Sequence, residues 1–113
     1  AQKEAKEKGW PWTLAKGFNH SAPVSDFLPL DDFSDFQDIN FTCHINGEQR
    51  QVGYTGDMIF SVTKLVAYIT QFITVKKGDL IFTGTPAGVG PLQIGDHIVG
   101  HLGEKKMLDF HVR

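Results

Sequence analysis

The chain has 113 residues, a hydrophobic content of 41% and a formal net charge of −2 at pH 7. At that length it holds one domain at most, with room for a core but little for a complete enzyme with a deep site. The charge excludes the basic field that a nucleic-acid partner requires, and no apolar run approaches the roughly 20 residues that span a bilayer, so no membrane partner is expected either.

No signal peptide opens the chain, which gives the expectation of a soluble, cytoplasmic protein. Residues 1–8 are nearly all good helix formers, with Glu4 and Lys8 four apart, yet no capping residue precedes Ala1. The pattern reads as a helix already under way, hence an incomplete domain, closed by Gly9 before Trp10-Pro11-Trp12. Lys16 follows, set between Ala15 and Phe18 beside Gly17. It is either a lysine with a buried stem and a solvated head, or an ammonium placed in a site to bind an anion or polarise a carbonyl. His20-Ser21 lacks the G-x-S-x-G elbow of a nucleophilic serine and is not read as part of a triad.

Residues 23–38 carry Asp26, Asp31, Asp32, Asp35 and Asp38 among Phe27, Phe33 and Phe36. Their spacing lacks the ligand alternation and central glycine of a calcium loop, so a solvated loop pinned by aromatics is expected, without metal. Ile39 to Ile45 and Glu48 to Tyr54 flank Asn46-Gly47, a two-residue hairpin signal because both turn positions need positive φ. His44 reads as a cross-strand partner, and Cys43 stands alone, without a second cysteine for a disulfide or ligands at zinc spacing. Apolar residues recurring at three and four predict one amphipathic helix over Phe60 to Ile73, capped by Ser61 or Asp57, with its stripe against a sheet.

Leu80 to Thr83 reads as a strand that delivers the loop Gly84-Thr85-Pro86-Ala87-Gly88-Val89-Gly90. Glycines permit close approach of backbone to ligand, so Thr83, Gly84 and Thr85 can present N–H and O–H donors to a carboxylate or phosphate, or the loop is a connection that needs glycine only for its turns. The phosphate-loop ending Gly-Lys-Ser/Thr and the G-x-G-x-x-G pattern are both absent, which disfavours a nucleotide. Asp96 to Leu102 and Met107 to Val112 then alternate around residues 103–106, with His97, His101 and His111 as face-lining residues.

Taken together, Lys8-Gly9 with Pro11-Trp12, Leu14 to Phe18, Ala22 to Ser25, Asn46-Gly47-Glu48 with Arg50-Gln51, Asp57 to Phe60, Gly78-Asp79 and Thr83 to Pro86 through Gly88 to Pro91 resemble the fumarylacetoacetate hydrolase superfamily. The likeness is to its acylpyruvase and oxaloacetate decarboxylase type, and it covers nearly the whole chain in the family's order. It implies a β-rich α/β fold, a curved mixed sheet with one main helix packed on it, and assigns residues 1–113 to the C-terminal portion of a single catalytic domain. It also implies a homodimer and a divalent cation, Mg2+ or Mn2+, held by a Glu-x-Glu pair and an aspartate, none of which is in this sequence. By the resemblance the chain keeps the substrate-facing wall: Gln2, Lys16, Gly84 and Thr85, with Lys16 catalytic. A 2-oxo acid chelates such a cation, Lys16 adds charge where an oxyanion develops, and Gly84 and Thr85 hold the unreacting carboxylate. Two functions follow as alternatives: part of a hydrolase or lyase cleaving C–C bonds in short 2-oxo acids, or a non-catalytic split or degenerate module of the same fold serving in dimerisation or ligand binding.

Overall fold

The computed structural model describes residues 2–113, so Ala1, at the start of the expected first helix, lies outside the described residues. Helix α1 spans Gln2–Lys8, with the Lys8 ammonium 2.8 Å from the Glu4 carboxylate one turn back. It ends because Gly9 takes φ +65°, which lets the Trp10 N–H donate to the Ala5 carbonyl at 2.8 Å and close the last turn. A single helical turn not expected from the sequence, α2 (Thr13–Lys16), follows and touches α1; the Gly17 N–H closes it on the Thr13 carbonyl at 2.7 Å.

The acidic segment is irregular apart from a 3-10 turn at Leu30–Asp32. Phe33 and Phe36 are half-buried and pin it, whereas Phe27, expected to do the same, is exposed. At its end Gln37 ties three elements together, donating to the Thr55 carbonyl at 3.0 Å and accepting from the Val62 N–H at 2.7 Å.

Strands β1 (Asn40–Ile45) and β2 (Glu48–Tyr54) form the expected hairpin, with Asn46 and Gly47 at φ +52° and +80°. β3 (His97–Leu102) and β4 (Lys105–His111) form the second pair. β4 begins two residues before the expected Met107, because a two-residue turn at Gly103-Glu104 is enough to reverse the chain. The sheet order is β2-β1-β3-β4, and every pairing among the described residues is antiparallel where a mixed sheet was expected. A parallel pair needs a crossover that returns the chain in the same direction, and here both sequential pairs are hairpins.

Register sorts the side chains. Phe41, Cys43 and Ile45 lie opposite Leu102, Gly100 and Ile98, and Ile98 opposite Phe110, which makes one face apolar. The other face carries the expected histidines: His97 and His111 stack with ring centroids 4.5 Å apart, and His101 meets His44 edge-on at 6.1 Å.

Helix α3 covers Val62–Ile69, shorter at both ends than the periodicity suggests. Of the two candidate caps it is Ser61 that acts, its Oγ accepting from the Lys64 N–H at 3.2 Å. The C-terminal end closes early because the Thr70 hydroxyl donates back to the Val66 and Ala67 carbonyls at 3.0 and 3.1 Å, after which the chain tightens into 3-10 turns. Only Val62, Leu65 and Ile69 of its stripe are half-covered, and Phe72 and Ile73 are exposed.

Leu80 to Thr83 is not a strand. Apolar, β-type residues favour an extended chain, but a strand exists only where a neighbour takes its N–H and C=O groups, and no ladder among the described residues reaches this segment. Burial is sparse throughout: Ala5 and Ile98 are the buried apolar side chains. The accessible surface is 9403 Å², against roughly 6,200 Å² for a folded monomer of this mass, and large apolar side chains such as Leu14, Ile59 and Ile94 are exposed. No helix of the described residues is long and apolar enough to cross a membrane.

Candidate functional site

A cleft of about 520 Å³ opens between the end of β2, the chain that follows it, α3 and the glycine loop. Val52, Met58, Phe60 and Leu65 make its apolar wall, and Thr83, Gly84, Thr85 and Pro86 line it from the glycine loop. Three fixed points hold this shape. Gln37 anchors the start of α3 to the turn at Thr55–Asp57. The Thr55 hydroxyl accepts from the Ile39 N–H at 2.9 Å, pinning that turn to the base of β1. Gln51 of β2 donates to the Thr85 hydroxyl oxygen at 2.9 Å and to the Pro86 carbonyl at 3.0 Å, pinning the loop.

The loop lies flat on β2 because Gly88 has no side chain. A Cβ built there would stand 2.2 Å from the Arg50 carbonyl oxygen, and Gly88 also has φ +102°. Gly84, at φ +96°, turns the chain at the cleft with open space around it.

Asp57 is the one charged residue lining the cleft among the described residues. An anion held here must therefore rely on neutral donors or on cations brought in from other elements. Gly84 N–H and Thr85 O–H are such donors, since among the described residues neither gives its proton to another protein group. Tyr54, also in the wall, donates to Asp38 at 3.0 Å; that hydrogen bond and the charge of Asp38 raise its phenol above the usual value and keep it protonated.

A second hollow of about 500 Å³ lies on the apolar face of the sheet, bounded by Phe27, Phe33, Cys43, Gln51 and Leu108, with Phe41 and Thr85 lining both it and the first. Burial pushes the Cys43 thiol up, so it is no thiolate nucleophile at neutral pH. Among the described residues no group of three or more His, Cys, Asp and Glu is placed to hold a metal ion.

Of the residues singled out in the sequence, the structure brings Gly84 and Thr85 to the cleft. Lys16 is exposed at the end of α2 and Gln2 is the first residue of α1, and neither lines it. Gln51 was visible only as part of the Arg50-Gln51 pair. Its role depends on an extra residue in β2, which has no mark in the sequence.

Sheet, bulged edge strand and glycine loop define a β-rich α/β unit with an open cleft lined by the loop. The chain belongs to the fumarylacetoacetate hydrolase family: the model "Fumarylacetoacetate (FAA) hydrolase C-terminal" matches residues 1–112. It is 48% identical over 97 residues to the mitochondrial oxaloacetate tautomerase FAHD1 of Mus musculus, covering 86% of this chain and 44% of that protein. Over 98 residues it is 48% identical to the oxaloacetate tautomerase YcgM of Escherichia coli (strain K12), covering 86% and 45%. Among solved structures, a fumarylacetoacetate hydrolase family protein from Yersinia pestis CO92 superposes with a TM-score of 0.93 at 41% identity, over 99% of this chain and 51% of that one. Fumarylpyruvate hydrolase from Pseudomonas aeruginosa, in complex with Mn2+ and pyruvate, superposes with a TM-score of 0.84 at 32% identity, over 99% and 47%. The chain spans about half the length of the proteins it matches.

Proposed function

We propose that the chain forms the substrate-binding wall of an enzyme acting on short 2-oxo acids. The observation that carries this is the pair of unspent donors, Gly84 N–H and Thr85 O–H, lining a cleft that is otherwise largely apolar. Such donors suit a carboxylate, and relatives named oxaloacetate tautomerase and fumarylpyruvate hydrolase support the 2-oxo acid class.

Tautomerisation, decarboxylation and acylpyruvate hydrolysis share one demand. An electron pair is released at C3, by loss of a proton to a base, of carbon dioxide, or of an acyl group that water has attacked and that departs as a carboxylic acid, and it delocalises onto the C2 oxygen as an enolate. Gly84 and Thr85 would hold the C1 carboxylate, and Lys16, exposed at the end of α2 and outside the cleft lining, would have to reach in from that element to set its ammonium at the enolate oxygen, where fixed charge is most effective. Gln2 would complete the wall as a neutral hydrogen-bonding amide. The described residues do not fit a divalent-cation site, so the Mg2+ or Mn2+ that the resemblance implies would need ligands from elsewhere.

The test is steady-state kinetics of the full-length protein on oxaloacetate and an acylpyruvate. Lys16→Met keeps most of the stem and deletes the charge, so it is expected to lower kcat/KM by on the order of 10². Thr85→Val keeps the β-branch and removes the hydroxyl, with an expected cost of roughly 1.5 to 3 kcal/mol that appears mainly in KM. Wild-type kinetics in the Lys16 variant would sink the catalytic assignment. Absence of turnover in the full-length protein would favour the non-catalytic module.

A further inference from the structure

We infer that Gln51 is a positioning residue: it fixes the polarity of the Thr85 hydroxyl so that its proton points to the substrate carboxylate, an inference that rests on the reading of Thr85 given above. Three observations lead to it.

The first is the irregularity of β2. Cys43 pairs with Gln51 and His44 pairs with Gln49, so adjacent residues of β1 face residues two apart in β2 and Arg50 is the extra one. In a regular strand Gln49 and Gln51 share a face. The bulge instead sets Gln51 opposite Cys43, on the apolar face, while Gln49 stays opposite His44 on the histidine face. One inserted residue thus aims Gln51 at the glycine loop.

The second is how closely the loop approaches the same bulge. Gly88 packs on the carbonyl of Arg50 itself, at a distance no side chain would allow. The bulge and the loop form one unit, with Gln51 between them.

The third is donor arithmetic. The Pro86 carbonyl can only accept, so the Gln51 atom 3.0 Å from it must be the amide nitrogen, and the flipped amide would set two acceptors against each other. A carboxamide nitrogen has two protons; one goes to Pro86 and the other to Thr85 Oγ1 at 2.9 Å. A threonine hydroxyl has one proton and two lone pairs. With one lone pair taken by Gln51, the proton is directed away from Gln51 and is free for the cleft. A free hydroxyl would divide its time among acceptors, and Gln51 removes that choice before substrate arrives.

The experiment is a double-mutant cycle in the full-length protein with oxaloacetate as substrate, scoring KM, kcat and thermal stability for Gln51→Met, Thr85→Val and the pair. Methionine matches the length of glutamine and cannot donate. Gln51→Met is expected to raise KM about tenfold with kcat within about twofold, and to add much less to KM in the Thr85→Val background, where only its contact with the Pro86 carbonyl is left to lose. If Gln51→Met does not fold, Gln51→Glu replaces it in the cycle; its carboxylate can only accept and would draw the Thr85 proton toward itself, so the same non-additive rise in KM is expected. An unchanged KM in the Gln51 variant beside a raised KM in Thr85→Val overturns the inference and leaves Thr85 as the carboxylate anchor. Additive effects in the double variant overturn it too, since Gln51 would then act by another route. An unchanged KM in Thr85→Val removes both.

Discussion

Gly88→Ala tests whether the loop is held by its contact with the bulge or merely turns there. The added methyl would start 2.2 Å from the Arg50 carbonyl oxygen; ordinary contact begins near 3.4 Å, so the loop must recede by about 1.2 Å. Moving that far stretches the Gln51 contacts, now 2.9 and 3.0 Å, beyond hydrogen-bond range. Losing the two costs about 1 kcal/mol each, on top of about 1 to 3 kcal/mol for alanine held at positive φ. Gly95 isolates the second part, because its φ is +95° and nothing lies within 4 Å of a Cβ built there. In urea denaturation of the full-length protein Gly95→Ala should cost only the backbone strain and leave KM for oxaloacetate alone. Gly88→Ala should cost about 2 kcal/mol more and raise KM. Equal stability losses, with KM unmoved in both, would refute the docking of the loop on β2.

Asn46→Ala should cost about 2 to 3 kcal/mol in denaturant, since it loses the Asn46 bonds to the Asp96 carboxylate and the His97 N–H, both 2.9 Å, and puts alanine at φ +52°. Asp109 is lowered from 3.8 to about 2 by its hydrogen bond to Lys106 and then by that to His97. A depressed carboxylate contributes stability that is complete above its unfolded value and is lost as pH falls through the folded one; Asp109→Asn should therefore lower the melting temperature at pH 7, with the difference from wild type shrinking between about pH 4 and pH 2 and gone below that. Sedimentation of the full-length protein at micromolar concentration should give a homodimer; a monomer would leave the uncovered apolar surface to be explained by the rest of the chain alone.

The sequence by itself determined what depends on neighbours along the chain. Asn46-Gly47 names its own turn because only residues tolerant of positive φ fit there, and two alternating runs beside it have no better partner than each other. Gly9 likewise ends α1, Ser61 starts α3, and period two along β3 and β4 puts three histidines on one face. Family membership was legible for a related reason, as the matching pieces are mostly turns and loop residues whose backbone demands limit the choice of amino acid.

Tertiary structure decided what depends on partners far away. Leu80 to Thr83 has the composition of a strand but no neighbour to complete its hydrogen bonds, so composition misled. Helix α3 stops at Ile69, where the Thr70 hydroxyl bonds back toward the Val66 and Ala67 carbonyls and the next N–H groups close on Tyr68 and Ile69 in tighter turns, a local competition that apolar periodicity ignores. The site divides in the same way. Gly84 and Thr85 announce themselves as a loop with donors, but Gln51 reaches Thr85 across 34 positions only because β2 carries one residue more than β1. A bulge is a count of residues on two strands taken together, which neither strand records alone.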